Sequence, residues 1–258
     1  MTAYVCAIIM EDRNEKGMKH MKRTTRVILL VAVVFAAGVF AALVYGGVIR
    51  LNRPSDQDYP VRGVDVSEYQ GTIDWTKIAA QGIDFAYVKA TEGSSAVDSR
   101  FADNFPGAQA AGLRVGAYHF FSFDTPGDMQ AANYIANVPA QEDLLPPVID
   151  LEFYGEYQNN PLPADEVWPQ LQAALDALEA AYGKKPIIYT TERSYDLYVS
   201  GHDAPYDIWI RSTYFSPRVK GWTIWQYTGR GKLDGYDGEE IYIDLNVFNG
   251  NEDAFAVY

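Results

Sequence analysis

From Val61 onward, short apolar runs alternate with helical stretches, and this alternation constrains the fold more than any other feature of the chain. Strand candidates are Gly63–Ser67, Phe85–Ala90, Val115–Phe121, Val148–Phe153, Pro186–Thr190, Ile208–Ser212, Thr223–Tyr227 and Ile241–Val247. Helical candidates between them are Trp75–Gln81, Ser99–Ala111, Pro126–Asn137, Ala164–Tyr182 and a weaker stretch near Arg193–Val199. Such alternation predicts parallel strands joined by right-handed crossover helices. Eight strands in about 200 residues predict an α/β fold, a small closed or nearly closed TIM-barrel-like (β/α) barrel. Helical pattern thins out after Val199, so the last third is expected to be irregular, with loops or hairpins joining its strands.

The amino-terminal part is of another kind. Val27 to Ile49 is a 23-residue run without a charge, long enough to span a bilayer as a helix. Arg13, Lys16, Lys19, Lys22, Arg23 and Arg26 precede it, which predicts a cytoplasmic amino terminus. The expected order is a basic tail (1–26), a transmembrane signal anchor (27–49), a polar linker (50–60) and an exported domain (61–258). A cleaved signal peptide has a shorter apolar region, about 7–15 residues. Ala36, Ala37, Ala41 and Ala42 keep cleavage and secretion open as the alternative, and Met18 and Met21 are alternative starts.

Cys6, the single cysteine, precedes the membrane run, so the exported part suits an oxidising compartment without disulfides. Residues 1–60 carry 8 basic and 5 acidic side chains, a balance of +3 within a whole-chain charge of −13, which leaves −16 on the remainder. That surface excludes nucleic acid as a partner and predicts repulsion from anionic polymers and lipid head groups. Membrane contact is expected through the amino-terminal helix alone, and the exported domain is expected to be monomeric.

Within the barrel, Pro147-Val148-Ile149-Asp150-Leu151-Glu152-Phe153-Tyr154 reads as a buried strand with two carboxylates in it. Strand side chains alternate, so Asp150 and Glu152 share a face, about 6.6 Å apart along the backbone. Neighbouring carboxylates raise the proton affinity of at least one of them. One acid protonated beside one ionised is the requirement for cleaving a glycosidic bond. A strand-end pair that caps a helix or binds a cation is the competing reading.

Barrel sites are built at the carboxyl ends of strands. Asp65, Lys89 and Glu92, Asp150 and Glu152, and Trp225-Gln226-Tyr227 fall at such ends, Tyr118 and His119 sit within Gly116–Phe121, and Asp244 interrupts Ile241–Leu245. A cleft of acids and aromatic rings suits a neutral polysaccharide. No metal site or cofactor is expected: His20, His119 and His202 form no pair at ligand spacing, and nucleophile elbows, phosphate loops and dinucleotide fingerprints are absent. An all-carboxylate cation site is the remaining chemical alternative.

Gly63-Val64-Asp65-Val66-Ser67-Glu68-Tyr69-Gln70-Gly71 with Ile73-Asp74-Trp75 resembles the opening of the family 25 glycoside hydrolases, the muramidase-type lysozymes. Phe85–Gly93, Gly116–Phe120, Asp150-Leu151-Glu152, Trp225-Gln226-Tyr227 and Ile243-Asp244-Leu245-Asn246 follow in the family's order. The resemblance implies a flattened barrel that cleaves the β-1,4 bond between N-acetylmuramic acid and N-acetylglucosamine in peptidoglycan. It implies Glu152 as general acid and Asp150 as the carboxylate that stabilises positive charge on the sugar. Asp65 and Asp244 take electrostatic or positioning roles, and Tyr118, Lys89, Glu92, Trp225, Gln226 and Tyr227 are expected at the sugar. Two alternatives stand: a chitinase-like N-acetylglucosaminidase, against which Leu144 to Ile149 carries no acidic run, and a peptidoglycan-binding protein without catalysis.

Overall fold

A computed structural model describes residues 2–202 and 205–258, with the backbone course alone for residues 2–21. The side chains of Cys6, Arg13, Lys16, Met18, Lys19, His20 and Met21 lie outside the described residues. The chain divides into one unit up to Leu51 and a second from Asn52 to Tyr258.

The first unit is a single helix, α1 (Thr2–Tyr45). Its stretch Lys22–Tyr45, 24 apolar-rich residues, is about 36 Å long, enough to cross a bilayer. The helix stops four residues before the uncharged run does. Gly47 adopts φ 72°, and the amides of Val48 and Ile49 turn back to the Leu43 carbonyl at 3.0 and 3.1 Å, a glycine C-cap.

The second unit is a closed barrel of eight strands: β1 (Arg62–Val66), β2 (Phe85–Glu92), β4 (Arg114–Phe120), β5 (Val148–Leu151), β6 (Ile187–Thr191), β7 (Asp207–Arg211), β8 (Ile224–Gly231) and β9 (Ile243–Phe248). The strands follow one another in chain order, and β1 pairs with both β2 and β9 to close the ring. The helices α2 (Trp75–Ala79), α3 (Phe101–Ala110), α4 (Gly127–Asn137) and α5 (Ala164–Tyr182) supply the crossovers, and a short turn, α6 (Glu192–Ser194), leads through a π turn at Tyr195–Val199 to β7. After Val199 the only helix among the described residues is α7 (Glu252–Ala256), so the last third is irregular, as the sequence predicts. No helix joins β8 to β9, and β9 therefore runs antiparallel to both neighbours in an otherwise parallel barrel.

Three details differ from the sequence reading. Strand β5 ends at Leu151, leaving Glu152 and Phe153 beyond it, because β4 and β6 pair with β5 only as far as Asp150 and Leu151. Strand β2 runs on to Glu92 through an irregularity between Lys89 and Thr91, and its end folds against a two-residue strand, β3 (Ala96–Val97). The five-residue helix α7 is held by Asn251, whose Oδ1 accepts the Ala254 amide at 2.9 Å. Neither β3 nor α7 is long enough to leave a periodic apolar pattern.

Strand alternation sorts side chains into two apolar layers. Val64, Val66, Ala86, Val88, Ile149, Leu151, Ile188, Ile210, Trp225 and Val247 belong to the layer that packs against the helices. Phe85, Tyr87, Val148, Ile187, Tyr189, Trp209, Ile224 and Phe248 fill the barrel. Large rings fit there because glycines face them. A Cβ on Gly63 would fall 2.2 Å from the Phe85 ring, and one on Gly116 would fall 2.1 Å from the Tyr87 ring. Between barrel and helix, buried His119 bridges Thr91 (2.8 Å) and Gln130 (3.0 Å), and burial pushes its imidazole down to about 4. It is therefore a neutral structural group at ordinary pH.

Candidate active site

The same alternation that fills the barrel with apolar rings brings polar groups to its upper end. Asp65 follows Gly63, Lys89 follows Tyr87, Asp150 follows Val148, and Arg211 follows Trp209, each on the inward set. The first three border a cavity of about 290 Å³ that is lined by Asp65, Lys89, Tyr118, Asp150, Glu152 and Asp244 among the residues singled out from sequence. Tyr69, Gln70, Phe120, Tyr189, Glu240 and Tyr242 add to its walls. The 232–242 segment that carries Glu240 and Tyr242 is held onto the β1–α2 loop. Gly238 donates to the Gln70 carbonyl at 3.0 Å, and Glu240 donates to that of Tyr69 at 3.1 Å.

Asp65 and Asp244 are direct cross-strand partners, a like-charge juxtaposition that is costly if both ionise. The hydrogen bonds around them are polarised. Trp209 Nε1 donates to Asn246 Oδ1 (2.8 Å), and Asn246 Nδ2 donates to Asp65 Oδ1 (2.6 Å). From the other side Tyr189 donates its hydroxyl to Gln226 Oε1 (3.0 Å), and Gln226 Nε2 donates to both Asp65 oxygens (3.1 Å each). The indole N–H can only donate, which orients the Asn246 amide, and the acceptor-only carboxylate of Asp65 orients that of Gln226, so both chains end as donors to Asp65. Burial pushes the Asp65 carboxyl up, and these donors oppose it. Asp244 has no such donors among the described residues and is pushed well above the usual carboxylate range, first by burial and then by the charge of Asp65. The proton of this pair belongs on Asp244.

The second pair lies on β5 and just past it. Asp150 is buried, and its Oδ1 has no hydrogen-bond partner. Burial and then the charge of Glu152 push it well above the carboxylate range. Glu152, half-buried with 24% of its side chain exposed, is also raised by burial, but Arg211 opposes that shift. Arg211 Nη1 donates to Glu152 Oε2 at 3.2 Å. Lys89 is tied to Glu92 at 2.6 Å and lies 5.0 Å over the Phe120 ring.

Besides His119, four of the sequence-derived residues stand apart from the cavity lining. Glu92 is exposed at the end of β2, paired with Lys89. Trp225 and Tyr227 sit in the outer layer, where Trp225 Nε1 donates to the Ser212 carbonyl (2.9 Å) and Tyr227 accepts from Arg62 (3.1 Å). Gln226 between them faces inward and reaches Asp65. Arg211 has the sequence signal of Lys89, one charge closing an apolar strand. The partnership of Trp209 with Asn246 has none, since it depends on β7 and β9 lying on either side of β8.

A closed barrel whose strand ends present two carboxylate pairs to an open cleft is the architecture of a glycoside hydrolase. The sequence model of glycosyl hydrolases family 25 matches residues 64–236, and the chain belongs to that family. It is 49% identical to a family 25 glycosyl hydrolase from Bacillus anthracis, with a TM-score of 0.76 over 80% of this chain and 96% of that one. The bacterial lysozyme from Streptomyces coelicolor superposes with a TM-score of 0.66 at 30% identity, covering 75% of this chain and 94% of that one. Lysozyme M1 of Streptomyces globisporus is 32% identical over 210 residues, 74% of this chain and 68% of that protein.

Proposed function

We propose that this glycoside hydrolase is a muramidase-type lysozyme, which hydrolyses the β-1,4 bond between N-acetylmuramic acid and N-acetylglucosamine in peptidoglycan. The observation that carries the reading is the convergence of Asp65, Asp150, Glu152 and Asp244 on one cleft in a chain similar to lysozymes. The N–H donors that already occupy the Asp65 oxygens favour an electrostatic role for that acid over cation ligation.

In this reading Glu152 protonates the leaving oxygen. It is the half-exposed member of its pair, at the mouth of the cleft, whereas Asp150 lies deeper. In the empty cleft Asp150 has the stronger upward push and Arg211 draws Glu152 toward the carboxylate. Bound sugar reverses that preference for two reasons. It removes water from the exposed face of Glu152, which disfavours the ionised form. Positive charge developing on the sugar favours an ionised Asp150 beside it. Tyr118 and Lys89 line the sugar site. Reducing ends should appear from purified peptidoglycan treated with the full chain and should fail to appear from chitin. Equal cleavage of both polymers would support an N-acetylglucosaminidase instead.

Helix α1 acts in this reading as an uncleaved anchor that keeps the hydrolase outside the cell and close to the wall, and the hydrolase domain itself is monomeric. Tethering raises the effective concentration at a surface toward which the −16 charge of the exported part gives no attraction. Its role would be remodelling of the producing cell's own wall. The anchored chain should stay in the membrane fraction through alkaline carbonate washing. Recovery of a shortened soluble form from the medium would contradict the anchor.

A further inference from the structure

We infer that Arg211, through its direct contact, sets how strong an acid Glu152 is, and so sets the upper pH limit of the reaction. The inference rests on the reading of Glu152 as proton donor. Arg211 is the last residue of β7, and Glu152 follows β5, so their 3.2 Å contact passes over the end of β6, which lies between them. It is a single N–H to one oxygen, from a guanidinium whose side chain is 42% exposed. Such a contact fixes the carboxylate without locking it.

The groups that face this pair are Asp65 on β1, Lys89 and Glu92 on β2, Tyr118 on β4, Tyr189 on β6, Asp244 on β9 and Glu240 on the 232–242 segment. Burial keeps Tyr118 and Tyr189 neutral. Glu92 occupies Lys89. Among the described residues Arg211 is therefore the cation in direct contact with Glu152. As the proton leaves Glu152 for the departing sugar oxygen, the carboxylate that forms is met by this guanidinium. Glu152 is thereby a stronger acid than burial alone would make it. Without Arg211 the proton stays on Glu152 to higher pH, but is given up less readily. Arg211 is a positioning residue and needs no contact with the sugar.

The test uses the full chain in detergent, as wild type, Arg211→Met and Arg211→Lys. The kcat/KM for peptidoglycan is followed against pH. In parallel, the Glu152 carboxyl is titrated by 13C NMR, with its resonance identified from Glu152→Gln. Loss of a cation in contact with a carboxylate raises its pKa. The alkaline limb and the carboxyl midpoint of Arg211→Met should therefore both move up by about one pH unit or more. The maximal kcat should fall, KM should change little, and Arg211→Lys should stay near wild type. A rate lowered equally at every pH, with the midpoint unmoved, would reduce Arg211 to a packing role and overturn the inference. If wild type fails to cleave peptidoglycan, the muramidase reading falls by itself, and the midpoint shift alone decides the effect of Arg211.

Discussion

Glu152→Gln lowers kcat on peptidoglycan by about a hundred- to ten-thousand-fold, the usual contribution of a positioned general acid. Glutamine keeps the shape and an oxygen for Arg211, so the barrel and the glycan affinity should survive. It has no acidic proton to give the leaving sugar oxygen. The substrate can be changed to separate this role from that of Asp150. An aryl glycoside with an acidic phenol as leaving group needs little protonation. On it the deficit of Glu152→Gln should shrink, whereas Asp150→Asn should remain impaired because the charge it stabilises forms on the sugar in both substrates. The unpartnered Oδ1 of Asp150, buried in the cleft, is the atom placed for that task. If Asp150→Asn were the variant relieved by the better leaving group, the two roles would have to be exchanged.

Asn246→Leu should be the most damaging single change beneath the cleft. Asn246 is fully buried, accepts from Trp209 Nε1 and donates to Asp65. Leucine removes both contacts at once. Each buried group left unpaired costs about 1–3 kcal/mol, so the loss should be roughly 2–6 kcal/mol in total. Urea unfolding followed by tryptophan fluorescence measures it, with Trp209 among the reporters. Asn249→Leu is the control, because Asn249 is exposed and its side chain donates to the Trp222 carbonyl at the surface, and it should cost about 0.5 kcal/mol. The proton affinity of Asp65 should also rise in Asn246→Leu, since a donor to its ionised form is lost. Equal midpoints for the two variants would mean that the hydrogen-bond chain contributes nothing to the barrel.

The barrel is legible in sequence because its strands repeat one device. An apolar run with period two delivers one inward polar group at its carboxyl end. Asp65, Lys89, Tyr118 and Asp150 reach the cavity this way, whereas Asp244 reaches it from the amino end of the antiparallel β9. The same rule separates Gln226, which faces inward, from Trp225 and Tyr227, which face the outer layer although they adjoin it in the chain. It applies equally to Arg211, which closes Asp207-Ile208-Trp209-Ile210-Arg211, yet a cation at a strand end has no obvious chemistry until its carboxylate partner is located. The partners of Asp65 depend on register. Gln226 and Asn246 are opposed residues of β8 and β9, and Asp244 lies across β1 from Asp65, because β9 turns antiparallel. Local pattern does not contain that reversal. Helix α1 shows a similar limit. The uncharged run extends to Ile49, but the turn at Gly46-Gly47 decides where the helix ends.

The measurement that bears most directly on the central claim is the identity of the new chain ends. Purified peptidoglycan is digested with the full chain, the fragments are reduced with borohydride, and mass spectrometry identifies the reduced sugar. Muramitol ends from wild type, absent with Glu152→Gln, are the predicted result. Glucosaminitol ends would contradict it and make the enzyme a glucosaminidase on the same barrel.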